Sequence, residues 1–342
     1  MTQSPTTPSG VHAGMDMEQG PTPDLAELAE TADRIQTAIE TVIEGKPEAI
    51  RLALTVLLAE GHLLIEDVPG VGKTMLAKSL ARSINCTVRR IQFTPDLMPS
   101  DVTGVSVFNQ QTRTFEFKPG GVFANIVVGD EINRASPKTQ SALLESMEER
   151  QVTVDGTTYP LDPPFMVVAT QNPVEMEGTY PLPEAQRDRF MARLAIGYPG
   201  EFDEMDMIEA HGGAAALDVL EPVADAAHVA KLVEIVRGIY VSPAVKRYCV
   251  ALANATRRAP DLRLGASPRA TLHLVRAAKA WAALNDREYV LPDDIQHLAV
   301  PVLAHRLLPT AEAQIGRRDA SQIVVDLLTR VPQPDANGSG AR

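Results

Sequence analysis

A short apolar run that halts at a glycine-bearing turn and resumes as a helix constrains this chain more than any other feature. His62-Leu63-Leu64-Ile65-Glu66 reads as a strand, Asp67-Val68-Pro69-Gly70-Val71-Gly72-Lys73-Thr74 follows, and Met75, Leu76 and Leu80 continue at helical spacing. Strand, glycine turn and helix is the order in which backbone N–H groups and a helix N-terminus can hold phosphate oxygens. Gly70 and Gly72 allow close backbone approach, Lys73 is placed to reach the β- and γ-phosphates of ATP, and the Thr74 hydroxyl is a ligand for Mg²⁺. Val68, Pro69, Gly70, Val71, Gly72, Lys73, Thr74 and Met75 are therefore the candidate nucleotide-binding residues. The pattern G-x-x-x-x-G-K-[ST] departs at its first position, where Asp67 adds a carboxylate beside a polyphosphate unless the side chain faces away.

A second apolar strand, Asn125-Ile126-Val127-Val128-Gly129, ends in Asp130-Glu131. Asp130 is a candidate Mg²⁺ ligand and Glu131 a general base for the attacking water. A third, Phe165–Thr170, runs into Gln171-Asn172-Pro173, placing an uncharged amide at the carboxyl edge of the sheet, where ligands bind in open α/β folds. Asn172 is suited to orienting the water or sensing the γ-phosphate. Asn-Pro also opens turns without any catalytic role.

The periodicity along the chain predicts helices from Asp24 and over 49–58, strands at His62–Glu66, Val88–Phe93, Ala124–Gly129 and Phe165–Thr170, and a helix from Pro137 to about Glu149. Strands alternating with helices imply a parallel sheet covered on both faces. Two hairpins interrupt this rhythm. Val105 and Val107 are expected to pair with Phe115 and Phe117, and Val152 and Val154 lead into an Asp155-Gly156 turn, a strong hairpin signal. Beyond about Pro199 no strand is expected, and helical patterns follow at 228–238, 243–258, 268–285, 292–307 and 319–330. The division expected is a leader at 1–23 with Pro5, Pro8, Pro21 and Pro23, a nucleotide-binding core at 24–200, a linker at 201–226, an all-helical domain at 227–331 and a tail at 332–342. Leader and tail read as disordered.

Composition narrows the function classes. Forty-four acidic residues against 32 basic ones give a formal charge of −12, whereas binding duplex phosphates calls for a basic surface. Nucleic acid is thus an unfavoured main partner. Cys86 and Cys249 form no CxxC pair, which argues against a disulfide framework or a cysteine zinc site and points to a cytoplasmic setting. The apolar stretches fall short of the roughly 20 residues that span a bilayer, and a polar N-terminus does not read as a secretion signal. The seven histidines form no H-E-x-x-H, and there is no G-x-S-x-G, so protease and esterase readings lack support. His62 is expected to be structural, and Trp281 a packing residue.

Taken in order, these motifs resemble the MoxR family of AAA+ ATPases over about residues 30 to 332. The resemblance rests on Val68–Thr74, Asp130-Glu131-Ile132-Asn133-Arg134, the helix Lys138-Thr139-Gln140-Ser141-Ala142-Leu143-Leu144-Glu145, Ala169-Thr170-Gln171-Asn172-Pro173, and Glu184-Ala185-Gln186-Arg187-Asp188-Arg189-Phe190. It implies an αβα sandwich with a parallel sheet and a C-terminal helical lid. It also implies Walker A, Walker B and sensor 1 elements at the positions above, and an arginine finger at Arg189 acting on a neighbouring subunit, with Arg187 as a rival on the same loop. In Gly265-Ala266-Ser267-Pro268-Arg269, Ser is at an N-cap and Pro at N1, and Arg269 resembles the sensor 2 arginine, expected at the γ-phosphate. The hairpins at about 104–119 and 151–160 resemble the insertions of this branch.

The function implied is Mg²⁺-dependent ATP hydrolysis at the subunit interfaces of a ring, expected to be a hexamer. Through the cycle it would drive chaperone-like remodelling, maturation, or metal or cofactor insertion of a client protein, for which a von Willebrand factor A domain is the expected type. Two other readings stay open: a nucleic-acid motor or loader, and a nucleotide-regulated scaffold with negligible turnover.

Overall fold

Strand β1 (Leu63–Glu66) is apolar on both faces because both are covered, as the middle of a parallel sheet requires. The computed structural model describes residues 24–68, 70–172, 179–198, 200, 204–205 and 214–334. The leader, most of the tail, Pro69, Pro173 and much of the expected linker lie outside the described residues.

Helix α1 (Leu25–Glu40) starts at Asp24, whose carboxylate accepts the Ala26 N–H, and buries Leu28, Ala32, Ile35 and Ile39. Helix α2 (Pro47–Leu58) follows with proline in its first turn. After β1 come α3 (Lys73–Ser83), β2 (Val88–Gln92), α4 (Pro99–Thr103), the hairpin β3 (Gly104–Asn109) and β4 (Thr114–Pro119), β5 (Ile126–Asp130), α5 (Pro137–Glu149), the hairpin β6 (Gln151–Val154) and β7 (Thr157–Pro160), β8 (Met166–Gln171), α6 (Glu184–Arg187) and β9 (Ala192–Leu194). The central sheet has the order β2-β5-β8-β1-β9 with every pair parallel.

Side chains alternate across this sheet. Leu63, Ile65, Ile126, Val128, Met166 and Val168 face the layer of α1, α2 and α3. Leu64, Val127, Val167 and Ala169 meet Leu143, Leu144 and Met147 of α5 on the other side, with Phe93 and Phe190. Each fully buried Leu, Ile or Phe contributes on the order of 2 kcal/mol, so the two faces together fix the sheet register.

The C-terminal part comprises α7 (Ala214–Val219), α8 (Ala226–Gly238), α9 (Pro243–Arg258), β10 (Leu262–Leu264), α10 (Pro268–Leu284), α11 (Pro292–Leu303), β11 (Leu308–Pro309), α12 (Ala311–Ile315) and α13 (Ala320–Arg330). Serine or aspartate caps set these helices off: Asp225, Ser242, Ser267 and Asp319 each accept a first-turn N–H. The lid packs on α1 and α2 through one continuous apolar cluster. Arg51 of α2 donates to the Leu284 carbonyl at 2.8 Å.

Four expectations need correction. The lid is not free of strand, because β10 and β11 form a short antiparallel ribbon. Strand β9 was not anticipated, since three residues interrupted by Arg193 carry too little apolar pattern. The expected linker contains α7, tied to α3 by Arg82 donating to the carbonyls of Asp218 and Leu220. The first hairpin is shifted by one residue: Val105 faces Lys118, Val107 faces Glu116, Ser106 faces Phe117 and Phe108 faces Phe115. Its turn closes between Asn109 and Thr114, where the Asn109 side chain accepts the Gln111 N–H, and an odd register step regroups every side chain. Phe108 and Phe115 consequently share a face edge to edge at 5.3 Å, while Phe117 stacks on Tyr159 of the second hairpin at 4.0 Å.

Candidate active site

Three strand ends converge at the carboxyl edge of the sheet: β1 runs into the glycine turn, β5 ends at Asp130, and β8, lying between them, leads to Asn172. Gly70 and Gly72 have φ of +87° and +88°, and no atom lies within 4 Å of where a Cβ would be at either. Backbone conformation, not crowding, therefore demands glycine there, and the space before the turn is open. Gly72 caps α3, so the first-turn N–H groups of an 11-residue helix face that space, with Lys73 and Thr74 at its start. Lys73 Nζ donates to the Asp67 carbonyl at 2.6 Å.

Asp67 turns away from the turn. Its carboxylate accepts the N–H of Val68 at 2.8 Å and of Gly197 at 2.6 Å, so it pins the loop to the chain beyond β9. The departure at the first position thus serves loop shape rather than adding a free charge at the phosphates.

Asp130 Oδ1 accepts the Thr170 hydroxyl at 2.5 Å, and Oδ2 accepts Arg90 Nε and NH2 at 3.0 and 2.6 Å. Arg90 NH2 also donates to Gln92 Oε1 at 2.5 Å, and Gln92 Nε2 donates to Glu131 Oε2 at 2.9 Å. Arg134 contacts the same Glu131 oxygen at 3.0 Å. Glu131 itself has φ 56° and ψ 49°, an uncommon conformation for a non-glycine residue. Its N–H is held by Thr170 Oγ1 at 3.0 Å, so one threonine steers both acidic residues. Asn172 is buried at the end of β8. Arg90, Gln92 and Thr170 were not singled out from the sequence; the only signal was their strand-end position.

These residues fit Mg-nucleotide. An open glycine turn, a helix N-terminus and a lysine suit phosphates. A threonine hydroxyl and a carboxylate with lone pairs remaining beyond its two partners suit a hard cation.

Arg189 and Arg269 are elsewhere. Arg189 donates to the Leu144 carbonyl at 2.5 Å and pairs with Glu148 at 3.2 Å, and Arg269 pairs with the same Glu148. Both line a cavity of about 330 Å³ with Gly61, His62 and Met147. Gly61 and His62 enter β1, whereas the glycine turn leaves it. At about 3.3 Å per residue, the cavity sits roughly one strand length from the chain's own phosphate turn. Arg269 is thus not at the phosphate turn of its own chain: capping by Ser267 and the Glu148 and Asp188 carboxylates hold α10 at the entry edge of the sheet. Arg187 has its Nε buried with no hydrogen-bond partner among the described residues.

His62, His297 and His305 each have a structural partner. His62 bridges the Met147 carbonyl and the Val167 N–H at 3.0 Å each. His297 stacks on Trp281 at 4.2 Å, and His305 is buried against the Phe190 carbonyl. Among the described residues no cluster of His, Cys, Asp and Glu suits a metal on its own, and no helix is long and apolar enough to cross a membrane.

Known proteins share this arrangement. The model for the ATPase family associated with various cellular activities (AAA) matches residues 62–192, and that for the AAA lid domain matches 254–327. The uncharacterized protein YeaC of Bacillus subtilis is 50% identical over 296 residues, covering 86% of this chain and 92% of that one. Chaperone MoxR1 of Mycobacterium tuberculosis is 38% identical over 342 residues, covering 97% of this chain and 90% of that one. A solved structure of a candidate ATPase from Cytophaga hutchinsonii superposes with a TM-score of 0.83 at 38% identity, over 90% of this chain and 96% of that one. On matches that span both parts of the fold and relatives that span nearly its full length, the chain belongs to the MoxR family of AAA+ ATPases.

Proposed function

We propose that this ATPase hydrolyses Mg-ATP at interfaces between copies of itself, and that the cycle remodels or matures a partner protein. The nucleotide-binding core is assigned to 24–200 and the lid to 227–331. The observation that carries the reading is the separation of Arg189 and Arg269 from the phosphate turn of their own chain. Two cations that face away from their own nucleotide are suited to a neighbour's, and a head-to-tail contact that repeats closes into a ring. A hexamer, and a client bearing a von Willebrand factor A domain, remain what the family resemblance suggests. The chain's acidic balance speaks against a nucleic-acid motor.

In this mechanism the residues from Val68 to Met75 hold the phosphates, and Thr74 and Asp130 hold the metal ion, which when bound neutralises charge on the phosphate oxygens. Glu131 takes the proton of the attacking water, and Asn172 orients that water or senses the γ-phosphate. Arg189, with Arg269 beside it, stabilises the charge that builds on the transferred phosphoryl group of the adjacent subunit.

The experiment is complementation between inactive variants. Arg189→Ala and Lys73→Ala subunits, each nearly inactive alone, should regain turnover when mixed, because some interfaces then pair an intact turn with an intact arginine. Mixtures that assemble by light scattering yet stay inactive would rule out action on a neighbour. Wild-type specific activity should also climb with protein concentration.

A further inference from the structure

The loop that carries Arg189 is held from two sides, by the core and by the lid. Asp188, immediately before it, accepts the Ser267 hydroxyl at 2.8 Å, faces Arg269 NH1 at 3.4 Å and lies 3.7 Å from Arg306 Nε. The carbonyl of Phe190, immediately after it, accepts Arg306 NH2 at 2.5 Å and His305 Nε2 at 3.1 Å. Ser267, Arg269, His305 and Arg306 all belong to the lid. Arg306 is only 3% exposed, and its NH2 also reaches His273 Nδ1 at 2.6 Å, which requires that imidazole to be neutral. Burial lowers the guanidinium only to about 10, so it keeps its charge at neutral pH.

A buried cation is costly unless it is paired and hydrogen-bonded. Arg306 meets that cost on Asp188 and the Phe190 carbonyl, with further contacts to His273 and His305, while its NH1 has no hydrogen-bond partner among the described residues. Core contacts to the same loop include the Leu144 carbonyl and Glu148 on α5, the Ser141 hydroxyl that accepts from Gln186, the His62 carbonyl that accepts the Met191 N–H, and the apolar cluster around the Phe190 ring, while Arg269 of the lid shares Glu148. The arginine loop is thus clasped between α5 and the lid, with Asp188 and the Phe190 carbonyl on the lid side.

We propose that Arg306 is a positioning residue: through Asp188 and the Phe190 carbonyl it ties the Arg189 loop to the lid and fixes the place from which Arg189 reaches the neighbouring subunit. This rests on the reading that Arg189 acts on that neighbour. Loss of the Arg306 contacts would then loosen the arginine aimed at the next active site without touching the phosphate turn.

The test uses full-length protein and measures assembly by light scattering, nucleotide affinity with a fluorescent ATP analogue, and steady-state turnover. Arg306→Met and Asp188→Asn should lower kcat by about 10- to 100-fold, the loss typical of a misplaced reacting group, with nucleotide affinity and assembly unchanged within twofold. Arg306→Lys should recover part of kcat. In an Arg189→Ala background, Arg306→Met should cost nothing further, since both changes act through one group. Hydrogen exchange should quicken in residues 184–191 of Asp188→Asn and not across the whole chain.

Unchanged kcat in assembled Asp188→Asn or Arg306→Met would overturn the proposal, as would a full additional loss in the double variant. If Arg306→Met does not fold, Asp188→Asn and its exchange pattern decide the matter alone. Full turnover in Arg189→Ala would instead remove the interface-arginine reading, a failure distinct from that of the clamp.

Discussion

Arg90 grips Asp130 by a single oxygen, with Nε and NH2 of the guanidinium at 3.0 and 2.6 Å from Oδ2. The cation therefore occupies one side of the carboxylate assigned to the metal ion, two residues before the Gln92 that holds the candidate base. A divalent cation and a guanidinium compete for the same charge. Because Arg90 is half exposed, the competition is screened and small. Arg90→Gln should lower the Mg²⁺ concentration for half-maximal ATP binding by about two- to fivefold, on the order of the free energy of one screened pair. Titrating Mg²⁺ at fixed fluorescent nucleotide reads this directly, and an unchanged midpoint would mean that Arg90 serves only the strand pairing.

Lys73 and Glu131 should separate binding from chemistry. Lys73→Ala removes the cation that faces the phosphates and should weaken nucleotide binding at least tenfold. Glu131→Gln keeps the shape and the contact to Gln92 while removing the proton acceptor. It should retain ATP and slow hydrolysis by about 10²- to 10⁴-fold. Equal turnover in Glu131→Gln and wild type, measured as phosphate release, would remove Glu131 as the base.

Asp67 should matter for the loop more than for charge. Its carboxylate takes the N–H groups of Val68 and Gly197 in a buried setting. Asp67→Ala leaves both donors without it and should destabilise the fold by about 1–3 kcal/mol, seen as a lower midpoint in denaturant. Nucleotide affinity should fall in the same variant, as the glycine turn loses its anchor at 197. A gain in affinity would indicate that the carboxylate repels the phosphates after all.

How far the sequence could be read depended on whether the determinants are local. The strand, glycine turn and helix at 62–80 is written in consecutive residues, and so is the α5 helix, whose Ser136 cap and Pro137 start mark its boundary. The partners of the acidic pair are not local. Arg90 and Gln92 meet Asp130 and Glu131 only because β2 pairs with β5 with Gln92 opposite Asp130, and nothing in either strand announces that register. The same holds for Arg306, which lies 118 positions from Asp188 in sequence and is brought to it by the docking of the lid. Arg269 was legible as a first-turn arginine, but the edge of the sheet it faces depends on how α10 packs against α2 and α5.

Three buried imidazoles make stability depend on acid. His62 is pushed down to about 4, first by burial and then by Arg150 and Arg276. His273 is lowered by burial and by Arg306, Arg276, His62 and Arg269, and His305 by burial with Arg306, Arg193 and Arg187. Each must be neutral in the folded protein, since each lies among guanidinium groups. In the unfolded chain they take a proton near pH 6.5. Below that pH the unfolded state therefore binds more protons than the folded one, and stability falls as pH falls. Each imidazole contributes up to about 1.4 kcal/mol per pH unit, so the three together should cost several kcal/mol between pH 6.5 and 5. Above pH 7 they contribute no slope. Denaturant midpoints at pH 7.5, 6.0 and 5.0 test this, and His273→Gln, which carries no titrating proton, should flatten the acid limb by about one third. A midpoint independent of pH between 7.5 and 5.0 would mean that the folded protein accommodates these protons, and would place the His273 ring outside the contact with Arg306.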